Sequence, residues 1–181
     1  TITMLRRFVG LLLPAVIATP LVMQAQAPIW IWATGFTGTS YVQMADITAS
    51  STNGCFAFGS FEEDLYLPFD TLVNNGDQGY FVVHVDTLGA PTWAAQFADR
   101  VVSMHGLPND GLSCLIPYVG STLVNSQVFT SGIAGHSALV VEFDADGSIT
   151  SSVNIPLYLW PNVTEPIRTM HHAEGGGILL G

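Results

Sequence analysis

The sequence predicts an all-β fold, a β-propeller-like array of four-stranded antiparallel blades, incomplete at about two and a half repeats. Three observations carry this expectation. The stretch "GYFVVHVDTLGAPTWAAQF" (79–97) is echoed by "SALVVEFDADGSITSSVNI" (137–155), so that Asp86 answers Asp144 and Gly89 answers Gly147. The chain is built of short runs rich in Val, Ile, Phe, Tyr and Thr, bounded by Gly, Asn, Asp and Pro, as strands and turns are. Beyond the first residues, no window sustains a helical period.

The first segment stands apart. Met4, Arg6 and Arg7 lead into the apolar run "FVGLLLPAVIATPLV" and then "MQAQA". A basic start, an apolar middle and a small-residue end are the order of a secretory signal peptide, expected over 1–27. A Leu-rich core helix is the competing reading. Thr1, Ile2 and Thr3 precede the Met and read as non-native residues of a translated fragment. Cleavage after Ala27 would leave Pro28 first, an unfavourable site for a signal peptidase.

The region 28–181 reads as repeats at about 29–91, 92–150 and a truncated 151–181, with a period of roughly 57–66 residues. Trp32 in "WIWATGF" matches Trp93 in "TWAAQF", and the third copy has Ser151 in that slot. "STNGCFAFGSF" (51–61) resembles "PNDGLSCLIPYVGS" (108–121), and "AEGGGILLG" (173–181) opens a third version. "SMHG" (103–106) likewise resembles "TMHH" (169–172). The best-defined copy should supply strands at 101–104, 113–119, 128–130 and 138–143, with the run at 149–155 beginning the next unit. A strand quartet recurring at this period indicates propeller blades.

The Asp-x-x-Gly element must be a tight hairpin, because one strand ends and the next begins within four residues. Gly89 and Gly147 can take the left-handed conformation without steric cost. Asp86 and Asp144 can accept backbone N–H groups two residues on. Trp93 should then lie on an outer strand and fill the wedge between blades, with Trp32 doing so one blade earlier. The branched and aromatic runs "YFVVHV" and "ALVVEF" suit strands covered on both faces.

The ordered pair of motifs, Asp-x-x-Gly followed by Trp-Ala and then the Gly-bounded strand pair "ITASSTNGCFAFGSF", resembles the bacterial β-propeller repeat often called SBBP. The resemblance covers about 29–181. It implies a secreted or cell-surface propeller and no single activity. The third copy departs from it by lacking the Trp, and Pro117, Pro156 and Pro161 interrupt the patterning. A closed propeller takes about four blades or more, so further repeats are expected beyond Gly181.

Charge excludes several function classes. All fourteen acidic residues lie beyond Ala27, where only Arg100 and Arg168 remain as bases and the whole chain has no Lys, giving that region a net charge of −12. Such a surface repels the phosphate backbone and an anionic membrane. No nucleic-acid partner is expected, and no membrane contact beyond the export signal. Cys55 and Cys114 could form one disulfide in an oxidising compartment, or remain two separate buried thiols, which is the favoured reading.

No catalytic constellation stands out. "DADG" (144–147) offers Asp144 and Asp146 at calcium-loop spacing, but the loop's later Glu is missing, and a plain hairpin is favoured. Glu62, Glu63 and Asp64 form the densest acidic cluster and could hold calcium or serve glycoside hydrolysis, although a solvated loop is favoured. His105, His171 and His172 recur at one place in the repeat and could gather at a metal or ligand site. No carboxylate or Cys stands at ligand spacing to them, and a structural role is favoured. His84 and His136 follow no pattern. Ser103, Ser113 and Ser137 lack a nucleophile-elbow context. Asp99 or Asp110 beside a His would be unspecific. "GGG" (175–177) and Asn162-Val163-Thr164 read as loops.

The expected function is therefore that of an exported, non-catalytic binding or structural module facing a protein or polysaccharide partner. No cofactor is expected, calcium being the sole candidate ion. The alternatives are part of a propeller enzyme, hydrolytic or quinone- or metal-dependent, with a central-channel site, and a β-sandwich carbohydrate-binding domain. Fold analogy alone supports the enzyme.

Overall fold

The computed structural model describes residues 33–51, 54–74, 76–131, 136–157, 169–172 and 178–180. The expected leader at 1–27 and Trp32 lie outside the described residues. In chain order the strands are β1 (Thr37–Gly38), β2 (Val42–Ala49), β3 (Cys55–Phe61), β4 (Asp64–Tyr66), β5 (Thr71–Val73), β6 (Gly79–Val85) and β7 (Pro91–Phe97). They continue with β8 (Ser103–Gly106), β9 (Leu112–Val119), β10 (Ser121–Val124), β11 (Gln127–Thr130), β12 (His136–Phe143), β13 (Ile149–Pro156), β14 (Met170–His172) and β15 (Ile178–Leu180). A single 3-10 turn, Pro108–Asp110, is the only helical element among the described residues. The chain is all-β, and its strand pairs are antiparallel.

Two large sheets dominate. One has the order β11-β10-β7-β6-β3-β2 and the other β13-β12-β9-β8. The runs β2-β3-β6-β7 and β8-β9-β12-β13 are therefore two successive four-stranded meanders with the same connectivity. Smaller sheets, β1-β4-β5 and β14-β15, complete the set.

The apolar pattern stacks these sheets in layers. Strands β6 and β12 are the "YFVVHV" and "ALVVEF" runs, and alternate residues of each are buried on opposite faces. Between the large sheets, Phe56, Phe58, Val82, Trp93 and Phe97 meet Leu112, Cys114, Ile116, Leu139, Val141 and Phe143. On the far side of the six-stranded sheet, Phe61, Phe81, Val83 and Val85 lie under Leu65, Leu67 and Leu72 of the small β4–β5 region. On the far side of the four-stranded sheet, Leu115, Ala138 and Val140 pack with Met170 of β14. Each large side chain removed from water contributes about 1.5–3 kcal/mol, so these layers are the chief source of cohesion. The first strands of the meanders, β2 and β8, lie beside each other, and β14 lies beside β8.

The strand grouping differs from the expectation. Ile149–Pro156 does not begin a new unit; it pairs along its length with β12 and completes the preceding sheet. The run at 128–130, placed in the quartet by its composition, is instead β11. With β10 it forms a hairpin that leaves its own meander and joins the edge of β7 in the other sheet. The Asn125 N–H donates to the Gln96 carbonyl (2.7 Å), and the Ala98 N–H to the Leu123 carbonyl (3.0 Å). The Gln96 N–H donates to Asn125 Oδ1 (2.8 Å). Hairpin β4–β5 joins β1 in the same manner, with Thr37 opposite Tyr66 and Gly38 opposite Leu65.

Candidate functional site

The two Asp-x-x-Gly elements fold into the same turn. Asp86 Oδ1 accepts the Leu88 and Ala90 N–H groups at 2.9 and 2.8 Å. Asp144 Oδ1 accepts the Asp146 and Ser148 N–H groups at 3.0 and 2.9 Å. The Gly89 and Gly147 N–H groups each return to the carbonyl of their Asp, both at 3.1 Å. Their φ angles of 82° and 78° are left-handed, which explains Gly at each position. Asp144 Oδ1 is thus occupied in closing a hairpin, and Asp146 lies exposed at its tip.

Trp93 sits on this second turn from the opposite sheet. Its ring stacks on Phe143 at 5.7 Å and leans on Phe56 at 5.8 Å. A Cβ on Gly147 would lie 2.7 Å from Trp93 Cδ2. The indole is 6 % exposed, and its Nε1 has no hydrogen-bond partner among the described residues.

The remaining sequence candidates do not converge. Glu62 and Glu63 form the exposed turn between β3 and β4, which Asp64 opens. Glu62 Oε2 accepts the Ser40 hydroxyl at 2.9 Å, and the Asp64 N–H donates to Thr39 Oγ1 at 3.0 Å. These contacts tie the start of β4 to the segment that follows β1. His105 of β8 and His171 of β14 are both exposed on neighbouring strands. The side chain of His172 lies outside what is described. Among the described residues no group of three His, Cys, Asp or Glu is gathered as a metal site requires. Ser113 donates to Met170 Sδ (3.7 Å), so it braces β9 against β14. Asp110 is held by both Ser50 and Ser51, with Asn109 and Asp110 each at positive φ.

The disulfide considered for Cys55 and Cys114 is absent, and both are free thiols. The reason is the pleat. Cys55 packs against the layer that also holds Val85 and Ala57, whereas Cys114 faces the layer between the large sheets. Burial pushes both thiols above their ordinary range, Cys114 the more strongly.

Two features escaped sequence reasoning. His84 is buried against Phe56 (4.9 Å) and Trp93 (6.1 Å), with Nδ1 2.7 Å from Thr92 Oγ1. Strand alternation alone puts it on the inward face with Val82, and that signal was available. The second is Arg100, in the connection from β7 to β8. It borders a groove of about 310 Å³ with Gln43, Ser60, Gln78 and Tyr80, and an adjoining one of about 130 Å³ with Asp46. Tyr80 stacks on Phe58 with rings 16° from parallel. A bulge between Met44 and Asp46 inserts Ala45 into β2, and Ala45 lines both grooves. An aromatic face bordered by amides, a hydroxyl, a cation and a carboxylate can stack on a sugar ring and hydrogen-bond its hydroxyls. This groove is the candidate binding site.

Compared with models of protein families, with curated proteins and with solved structures, the chain matches none.

Proposed function

We propose that the protein is an exported, non-catalytic binding module of β-propeller type whose surface takes a polysaccharide. The observation that carries this reading is the groove around Arg100 and Tyr80, set where one meander hands over to the next. Three architectural features support the propeller form. Each large sheet is built on one four-stranded meander, successive meanders stack face to face, and their first strands lie side by side. A two-sheet sandwich of the carbohydrate-binding kind would leave its outer faces to solvent. Here both outer faces carry further apolar layers. The resemblance to the SBBP repeat and the leader-like first residues favour display outside the cell.

The lining favours one class of glycan. Asp46 offsets Arg100 in the adjoining groove, and the chain as a whole is strongly acidic. Neutral glycans are therefore favoured over uronic-acid polymers, which the field of the protein would repel. Calorimetric titration with neutral and acidic oligosaccharides tests this. Neutral glycans should bind, and Tyr80→Ala and Arg100→Ala should each weaken binding by about tenfold or more with the fold intact. Absence of binding by any glycan, or binding indifferent to both substitutions, refutes the assignment. Binding by a protein partner that both substitutions abolish would transfer the groove to that class.

A further inference from the structure

The two grooves beside Arg100 are parts of one trough. The larger, of about 310 Å³, and the smaller, of about 130 Å³, have Ala45, Phe58 and Arg100 in common. Strand register spaces what lies at the two ends. Gln43 of β2, Ser60 of β3 and Tyr80 of β6 stand opposite one another in one row across the sheet. Phe58 lies two residues away along β3, a step of about 7 Å, and Asp46 stands opposite it. The bulge decides that pairing. Met44 is opposite Gly59, so a ladder without the extra residue would bring Ala45, not Asp46, opposite Phe58.

The two ends differ in chemistry. The larger groove has the ring of Tyr80, stacked on Phe58 and fixed at its tip, where the hydroxyl donates to Gln78 Oε1 at 3.2 Å. The smaller lacks Tyr80 and has a carboxylate beside the shared guanidinium. Asp46 Oδ1 accepts the Ile47 N–H at 2.8 Å, which holds the carboxylate and leaves Oδ2 to accept from a ligand. Among the described residues no ion pair joins Asp46 to Arg100, although both line this groove. An acceptor and a fork of donors so placed match two adjacent hydroxyls, one donating to Asp46 and one accepting from Arg100.

We propose that the trough reads two consecutive units of a neutral glycan, an inference that rests on the glycan reading above. One unit stacks on Tyr80. The next turns a pair of adjacent hydroxyls into the smaller groove, where Asp46 and Arg100 hold them. Stacking tolerates many sugars, whereas the hydroxyl pair admits only those that carry it, so Asp46 sets the selectivity of the site.

Chemical-shift titration of the full chain with glucose, mannose and galactose, and with their β-1,4-linked disaccharides, tests the division. For a sugar that binds, the disaccharide should bind at least about tenfold more tightly than the monosaccharide. In Asp46→Ala that ratio should fall to about two or less, while Tyr80→Ala should weaken both ligands and leave the ratio standing. Singly deoxygenated disaccharides, titrated against the unmodified protein, give an arm that no variant's folding can disturb. They should show two adjacent hydroxyls of one unit to be essential for the gain. Equal affinity for one unit and two, a ratio untouched by Asp46→Ala, or a deoxygenated set without such a pair overturns the two-unit trough and leaves glycan binding in place. No shift with any of these sugars removes both the trough and the glycan reading beneath it.

Discussion

Replacing Gly147 by Ala should destabilise the protein through two separable effects. The residue's φ of 78° lies in the left-handed region, where a Cβ costs about 1–2 kcal/mol. The new methyl would also stand 2.7–2.9 Å from three atoms of the Trp93 ring, and such overpacking costs about 1–3 kcal/mol. The sum, about 2–5 kcal/mol, is a large part of the 5–15 kcal/mol typical of a domain. With a urea slope of about 2 kcal/mol/M, the midpoint falls by about 1–2.5 M. A double-mutant cycle separates the terms. Trp93→Ala alone should cost about 3 kcal/mol, the low end for a buried aromatic, because it also removes the unpartnered Nε1–H. On that background Gly147→Ala meets no ring and keeps only its backbone cost. The coupling should be about 1–3 kcal/mol. Additivity within about 0.5 kcal/mol would refute the packing of Trp93 on this turn.

Asp144→Ala should lower stability by about 1–2 kcal/mol in urea titration, because two backbone N–H groups lose their acceptor, whereas Asp144→Asn should cost less than half as much. Asn125→Ala should cost about 1–3 kcal/mol, since it strands the Gln96 N–H and puts a Cβ-bearing residue without a local acceptor at φ 53°. Asn125→Gly should recover the backbone part alone, as paired denaturation curves would show. Both thiols titrate higher folded than unfolded, so their contribution is full at neutral pH and is lost as pH rises past the ordinary thiol value. For the fully buried Cys114, stability should therefore fall by up to about 1.4 kcal/mol per pH unit above roughly pH 8.5, and Cys114→Ala should flatten that slope.

What was legible in the sequence was local. Everything the Asp86 and Asp144 turns require lies within five residues, and the strand runs announce themselves by composition. The grouping of strands was not legible, for a physical reason. A repeating pattern has no intrinsic start, so Ile149–Pro156 could be assigned to either neighbour until its pairing with β12 fixed the phase. The hairpin β10–β11 was harder still. "STLV" is short and half polar, and its partner is selected by Gln96, distant in the chain. Of the candidate site, Tyr80 was visible only as one aromatic in a strand. Arg100 carried no motif, and the Ala45 bulge that shapes the groove arises from register between strands, which one strand's residues do not encode.

The hairpin that crosses from one meander to the other bears on how such a chain can grow or shrink by duplication. If residues 103–156 were excised cleanly at the sheet boundary, β7 would lose the strand that pairs with it at Phe97. The bared edge would be open to another chain. The hairpin that covers the last strand of one sheet thus belongs, along the chain, to the repeat that follows, so each repeat carries the cover for the edge of the one before it.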